Sequence, residues 1–256
     1  MSKILFFDVD GTLLNSKKEI PVSTLEALRL ARANGYELAI ATGRAPFMIQ
    51  DLLMELEIDS YVCFNGQYVV YKGKPIFTDG VAVELLDEIV GFGESRGVNY
   101  VFMNEHEMVA NASGNKLIEE SLATLKYPYP RVETEFYKKH AVYQTLVFIE
   151  AEQELVYRAT FPDVQFVRWH EFSCDILPRD GSKARGIEKF IAAAGVSMAD
   201  TVAFGDGLND VEMLSKVGVG IAMGNGHPAA IAVADMVAPH VDDDGIFKVM
   251  KKLQFI

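Results

Sequence analysis

A chain of 256 residues has room for one large domain or two ordinary ones, and with half its residues hydrophobic and 23% charged it can fill a core. The formal net charge of −12 gives a surface that repels nucleic acid phosphates and anionic lipid, so neither is an expected partner. No segment reaches the length of a membrane span, and residues 1–20 show no signal-peptide pattern. Cys63 and Cys174 lie far apart in apolar contexts that suit neither a metal site nor a disulfide framework, so buried free thiols in the reducing cytoplasm are expected.

Lys3 to Phe7 is a short apolar run, the pattern of a strand buried on both faces, and it runs into Asp8-Val9-Asp10-Gly11-Thr12. Pro21 and Ser23-Thr24 signal a helix start, Leu25, Leu28 and Arg32 keep helical spacing, and Asn34-Gly35 is a C-cap. Tyr36 to Ala41 reads as a second strand ending in Thr42-Gly43-Arg44. Phe47, Leu52, Leu53 and Leu56 mark a second helix, and Ser60 to Phe64 a third strand ended by Asn65-Gly66. This strand–helix alternation is half of a doubly wound α/β domain with a mainly parallel, Rossmann-like sheet. Residues 67–77 read as a hairpin.

The rhythm then changes. A helix over 82–97 with Leu85, Leu86, Ile89 and Val90 as its stripe is weakened late by Gly91 and Gly93. Two short strands over 98–110, a helix over 116–125, a rigid loop at 127–130, a strand over 141–149, a helix over 153–159 and one or two strands over 164–177 follow. Strands outnumber helices and no second βαβ period is visible, so 82–178 reads as an inserted α+β module. From Pro178 the first rhythm returns: a helix over 182–194, a strand over 200–204 ending in Gly205-Asp206-Gly207-Leu208-Asn209-Asp210, then a helix, the strand Val219–Ala222, a helix at 228–234, a strand at 236–237 and a terminal helix after Asp244. The domains are therefore 1–81 with 179–256, and 82–178.

Polar residues gather at strand ends and one helix start: Asp8 and Asp10, Thr42, Lys183, and Asp206, Asn209 and Asp210. In a doubly wound sheet such ends converge on one crevice. Two acids one residue apart are expensive in a core, and an Asx turn explains only one of them. An aspartate cluster suits Mg²⁺, while a lysine, a threonine hydroxyl and turn amides suit a phosphoryl group. One carboxylate attacks phosphorus while its neighbour handles the proton, so metal-assisted phosphoryl transfer is the chemistry to expect.

Asp8-Val9-Asp10-Gly11-Thr12, Thr42-Gly43-Arg44, Lys183 and Gly205-Asp206-Gly207-Leu208-Asn209-Asp210 together resemble the four ordered motifs of haloacid dehalogenase-like phosphatases, with Cof-type hydrolases the nearest pattern. The likeness extends to Asn65-Gly66 and to Met223-Gly224-Asn225, where Gly226 stands in place of a more usual alanine. The resemblance implies Asp8 as nucleophile, Asp10 as acid–base lending Mg²⁺ its backbone carbonyl, and Thr42 and Lys183 as phosphate holders beside the Val9 and Gly43 amides. It implies Asp206 as a metal ligand, Asp210 outside it, and Asn209 orienting phosphate or Lys183; Arg44 is a further candidate for a substrate anion. The 140 residues between Thr42 and Lys183 place an α/β cap there, expected to close over substrate and set specificity.

The implied enzyme is a Mg²⁺-dependent phosphatase of small phosphate esters, monomer or homodimer, with a sugar phosphomutase and a non-catalytic phosphometabolite sensor as rivals. Trp169-His170-Glu171 is read first as packing and second as recognition. Asp242-Asp243-Asp244 is read as acids at a helix N-terminus rather than a metal site, and His106, His140, His227 and His240 as ordinary or structural residues.

Overall fold

The computed structural model describes residues 3–256. They form two compact units: one runs to Arg44, resumes over Met48–Phe77 and again over Ser182–Ile256, and the other comprises Ala45–Phe47 and Thr78–Gly181. The strands in chain order begin with β1 (Ile4–Phe7), β2 (Glu37–Ala41), β3 (Tyr61–Cys63), β4 (Tyr68–Tyr71) and β5 (Lys74–Thr78). The second unit holds β6 (Tyr100–Met103), β7 (Met108–Ala110), β8 (Gln144–Phe148), β9 (Val164–His170) and β10 (Ser173–Pro178). The chain then returns with β11 (Thr201–Gly205), β12 (Val219–Ala222) and β13 (Met236–Val237).

The first sheet has the order β13-β12-β11-β1-β2-β3-β4-β5, parallel from β13 to β3, with β4 antiparallel to β3. Every residue of β1 is buried, as its unbroken apolar run requires of a strand covered on both faces. The aromatic rings of Phe6 and Tyr71 meet Phe190 edge to face at 5.1 Å, which ties the sheet to the helix Lys183–Ala194.

That helix starts at Ser182, whose hydroxyl accepts from the Arg185 N–H, and ends at Gly195 with φ +69°. Its approach to the sheet depends on two glycines. A methyl group on Gly186 would overlap Val62 and the Gly66 Cα, and one on Gly66, whose φ is +100°, would overlap the Ser182 carbonyl. Backbone meets backbone here, which fixes where the first helical residue, Lys183, stands.

Two helices depart from their expected form. Val22–Ala33 has Pro21 at its N-cap with no side-chain cap, and it buries Thr24, Ala27, Leu28 and Ala31 instead of a stripe through Leu25 and Arg32. The expected helix through Phe47 and Leu56 is a 3₁₀ turn, Pro46–Met48, followed by Gln50–Glu55, which buries none of its own residues. Ile49 and Leu56, which flank it, are the buried anchors.

The second unit is an antiparallel sheet of order β7-β6-β8-β10-β9. One face packs against the helices Val83–Glu94 and Ala151–Thr160 through Leu86, Ile89, Phe102, Val147, Tyr157 and Ile176. Gly93 has a packing reason: a side chain there would overlap the Tyr100 hydroxyl, which donates to the Ile89 carbonyl and lies 2.9 Å from that of Tyr157. The one-turn helix Phe136–Lys139 was not expected, being too short to show a period.

On the opposite face, Asp175 faces the Trp169 indole and the Gln144 amide. Burial pushes its carboxyl up to about 7, and these two neighbours offset that only in part.

Two predictions follow from this packing. Gly186→Ala should lower stability by about 1–3 kcal/mol, the usual cost of overpacking, as measured by urea unfolding, and should reduce turnover of p-nitrophenyl phosphate at temperatures where the protein remains folded. For Asp175, the unfolded carboxyl releases its proton near its ordinary 3.8 while the folded one holds it until about 7. The unfolded state therefore binds fewer protons across that window, so this group's contribution falls as pH rises from about 4 to about 7. Unfolding curves should show Asp175→Asn gaining stability relative to the parent over that range; a constant difference would contradict the burial.

Candidate active site

The carboxyl ends of the parallel strands deliver the polar groups. Asp8 follows β1, Thr42 follows β2, Asn65 follows β3, and Asp206 follows β11, while Lys183 arrives from its glycine-fitted helix. The Asp8 N–H donates to the Phe204 carbonyl at 2.9 Å, which continues the β1–β11 ladder into the site.

Lys183 has no exposed surface, and its ammonium donates to Asp8 Oδ1 at 2.5 Å and Asp210 Oδ1 at 2.6 Å. Burial would lower the lysine's pKa, but the Asp210 and Asp8 charges outweigh it, so the ammonium is retained. Desolvation, opposed by Lys183 and reinforced by Asp210, pushes Asp8 up to about 8. Asp210 is fully buried, and its Oδ2 accepts the N–H groups of Asp206 and Gly207 at 2.9 and 2.8 Å. Both of its oxygens are thus engaged, and it ties Lys183 to the Gly205–Asp210 turn. Gly205 is needed there, because a side chain would overlap the Asp210 carboxyl.

Asp206 accepts from the Thr12 hydroxyl at 3.1 Å; burial, then the Asp210 charge, pushes its carboxyl up to about 6. Asp8, Asp206 and Asp210 are the one group among the described residues whose carboxylate oxygens converge as metal ligands do, all within 4.8 Å of one another. Hard oxygen donors and two carboxylates whose charged forms are disfavoured without a cation fit a divalent ion such as Mg²⁺. Asp242, Asp243 and Asp244 form no such group: Asp244, with φ +57°, is the N-cap of the helix Gly245–Lys252 and accepts from Ser23. His227 and His240 each accept a backbone N–H at the head of a short helix.

Asp10 is gripped from outside. Arg44 donates through Nε and Nη2 to its two oxygens at 2.7 Å each, and Lys18 adds a third contact at 2.7 Å. Burial alone would raise this carboxyl, but Arg44, then Lys18, holds it below the ordinary value. Arg44 thus meets Asp10, a contact its sequence position does not suggest. Thr42 is buried, and its Oγ1 accepts the Arg44 N–H at 3.1 Å. The buried Val9 accepts the Leu14 N–H through its carbonyl at 2.8 Å.

Asn65 was not singled out as a site residue, yet it lies in the same cluster. Its φ of +51° turns it back, its Oδ1 accepts from the Asn209 amide at 2.9 Å, and its side chain fills the space a Gly43 side chain would need. The available signal was an Asn-Gly pair closing a buried strand. Thr12 and Asn225 were also missed; the Asn225 amide donates to the Gly11 carbonyl at 2.7 Å and its oxygen accepts from Val241, tying the first loop to the last.

Comparison with known proteins agrees with this arrangement. The family model for haloacid dehalogenase-like hydrolases matches residues 5–250. A Bacillus subtilis protein, YkrA, named as a candidate phosphatase, is 39% identical over 252 residues, covering 98% of each chain. A crystal structure from Geobacillus kaustophilus aligns over the whole of both chains with 45% identity and a TM-score of 0.97. A sugar phosphatase of subclass IIB aligns over the whole of both chains with 32% identity and a TM-score of 0.87. The chain belongs to the haloacid dehalogenase-like hydrolases and is a phosphatase of that superfamily. No helix among the described residues is long and apolar enough to cross a membrane.

Lys183→Met should leave two buried carboxylates without their shared cation. Stability near neutral pH should fall by about 3–5 kcal/mol, the cost of breaking a buried pair, as read from urea unfolding. An unchanged unfolding midpoint would show that the pairing is not formed in solution.

Proposed function

We propose that this phosphatase hydrolyses small phosphate monoesters in the cytoplasm through an aspartyl-phosphate on Asp8, with residues 82–178 carrying the determinants for the leaving group. The observation that supports this most is the buried Lys183 holding Asp8 in place beside Asp206. Asp8 Oδ attacks phosphorus as the ester P–O bond breaks, and Asp10 gives a proton to the leaving oxygen. Water then attacks the phosphoryl group, Asp10 takes its proton, and the Asp8–phosphorus bond breaks to release inorganic phosphate. Arg44 and Lys18 favour the ionised form of Asp10 in the free enzyme, so substrate must displace these two cations and Asp10 must take up a proton from solvent before it can protonate the leaving oxygen. Thr42, Lys183 and the amides of Val9 and Gly43 hold the phosphoryl oxygens, Asn209 supports them from Asn65, and Arg44 steadies Asp10 when substrate is absent.

Asp8, Asp206 and the Asp10 carbonyl would hold Mg²⁺, with Asp210 behind them. When bound, the ion supplies positive charge to the transferring phosphoryl group. The preferred substrates are sugar phosphates, with cofactor or nucleotide phosphates the other members of the class; the sugar phosphatase with the same fold supports the first.

Asp10→Asn should cripple attack on alkyl phosphates, whose leaving alkoxide needs a proton, and spare it for p-nitrophenyl phosphate. Water attack should slow by on the order of 10²–10⁴-fold for both, so the aryl ester should give a burst of nitrophenol of about one equivalent per site. A rapid-mix time course checks this; equal losses for both esters and no burst would remove Asp10 from the acid–base role. Asp206→Asn should lose Mg²⁺ binding in calorimetry, and unchanged binding would remove it as a ligand.

A further inference from the structure

The chain leaves β3 through three consecutive residues in the left-handed region: Phe64 and Asn65 at φ +51° each, and Gly66 at +100°. Glycine adopts that conformation freely and asparagine tolerates it. A buried phenylalanine does so only where its surroundings enforce it. The hydrogen bonds of the turn show what the conformation achieves. In an extended strand, successive N–H groups point to opposite neighbours. Here two in succession reach the same one: the Phe64 N–H donates to the Arg44 carbonyl and the Asn65 N–H to the Thr42 carbonyl, both at 3.1 Å.

The second of these bonds bears on the site. A peptide unit is planar and trans, so the Gly43 N–H points opposite to the Thr42 carbonyl with which it shares a plane. Asn65 holds that carbonyl from one side and thereby aims the Gly43 N–H to the other. Its side chain reaches a further loop: Oδ1 accepts from the Asn209 amide at 2.9 Å. The same carboxamide lies against Gly43, where an added methyl group would stand 3.1 Å from its Nδ2. Gly66, next in the turn, packs against the Ser182 carbonyl and Gly186 at the head of the helix that carries Lys183. One turn thus touches the segments that bring Thr42, Asn209 and Lys183 to the site.

We propose that Asn65 is a positioning residue for phosphoryl transfer with two separable parts: its left-handed backbone aims the Gly43 amide, and its side chain holds Asn209. This rests on the phosphate-holding roles given above to Thr42, Gly43 and Asn209. Those groups meet the phosphoryl group and not the leaving group, so misplacing them slows every ester alike, in kcat more than in KM. The two parts respond differently to substitution. Alanine opposes the left-handed backbone and also removes the carboxamide, whereas glycine accepts the backbone and removes the carboxamide alone.

The test compares the full-length Mg²⁺-loaded parent with Asn65→Ala, Asn65→Gly, Asn209→Ala, the double variant Asn65→Gly/Asn209→Ala, and Thr42→Ala. Each is assayed on an alkyl phosphate and on p-nitrophenyl phosphate, below the temperature at which any variant begins to unfold, and each is unfolded in urea. The midpoint of Asn65→Ala should lie below that of Asn65→Gly. The kcat of Asn65→Gly should fall by about 10-fold and that of Asn65→Ala by about 100-fold, each by the same factor for both esters. The double variant should lose no more than the worse of its two single variants, because both remove one link. A merely structural Asn65 would let glycine restore activity along with stability. Parental kcat in Asn65→Gly, fully additive losses in the double variant, or equal kcat in the alanine and glycine variants would each overturn the proposal. Parental turnover in Thr42→Ala would instead overturn the phosphate-holding reading on which it rests, a distinguishable outcome.

Discussion

One buried ammonium holds the site of this protein together. Lys183 sits between Asp8 and Asp210 with no access to water, and without it two carboxylates would share a desolvated space. Neighbouring groups help the attraction repay the cost of burial: Asp210 also takes two turn amides, Asp206 takes the Thr12 hydroxyl, and Asp8 is fastened to β11 through its own N–H. Even so, Asp8 and Asp206 are held above their ordinary pKa values, mainly by desolvation and then by neighbouring acids. The protein chain alone is short of positive charge there, which is the electrostatic condition a divalent cation relieves.

The fold serves that constraint through close backbone approaches. Gly66 and Gly186 let the helix that begins with Lys183 touch the turn after β3, and Gly205 leaves room for the Asp210 carboxyl under the turn after β11. Gly11, with φ +77°, leaves room for the Asp206 carboxyl in the same way. Each of these places a charged oxygen or nitrogen by removing a side chain from beside it. The outer acid, Asp10, is under different control. It is partly exposed and held by Arg44 and Lys18, contacts that substrate and solvent can exchange, whereas the Lys183 contacts are sealed.

Much of this was legible in residue order. β1 announces itself by an apolar run ending in two aspartates, and the change of rhythm after the β4–β5 hairpin marks where an antiparallel sheet with its own core begins. What periodicity could not reach were features shorter than a period or made by contact alone. Phe136–Lys139 is a single turn, and Gln50–Glu55 is anchored by the residues beside it. Asn65 acts through a left-handed backbone angle and a bond to Asn209, 144 positions away. The grip of Arg44 on Asp10 and the convergence of Gln144, Trp169 and Asp175 likewise depend on which side chains the strands bring together, not on their spacing along the chain.

The central claim is that Asp8, fixed by Lys183, receives the phosphoryl group. The direct measurement is to quench the enzyme with acid during turnover of a phosphate monoester, reduce the product with borohydride, which converts an acyl phosphate to a primary alcohol, and sequence the peptides by mass spectrometry. The account predicts that the alcohol is found at position 8 and only in samples given substrate and Mg²⁺. Modification at Asp10 or Asp206 with Asp8 intact would contradict it.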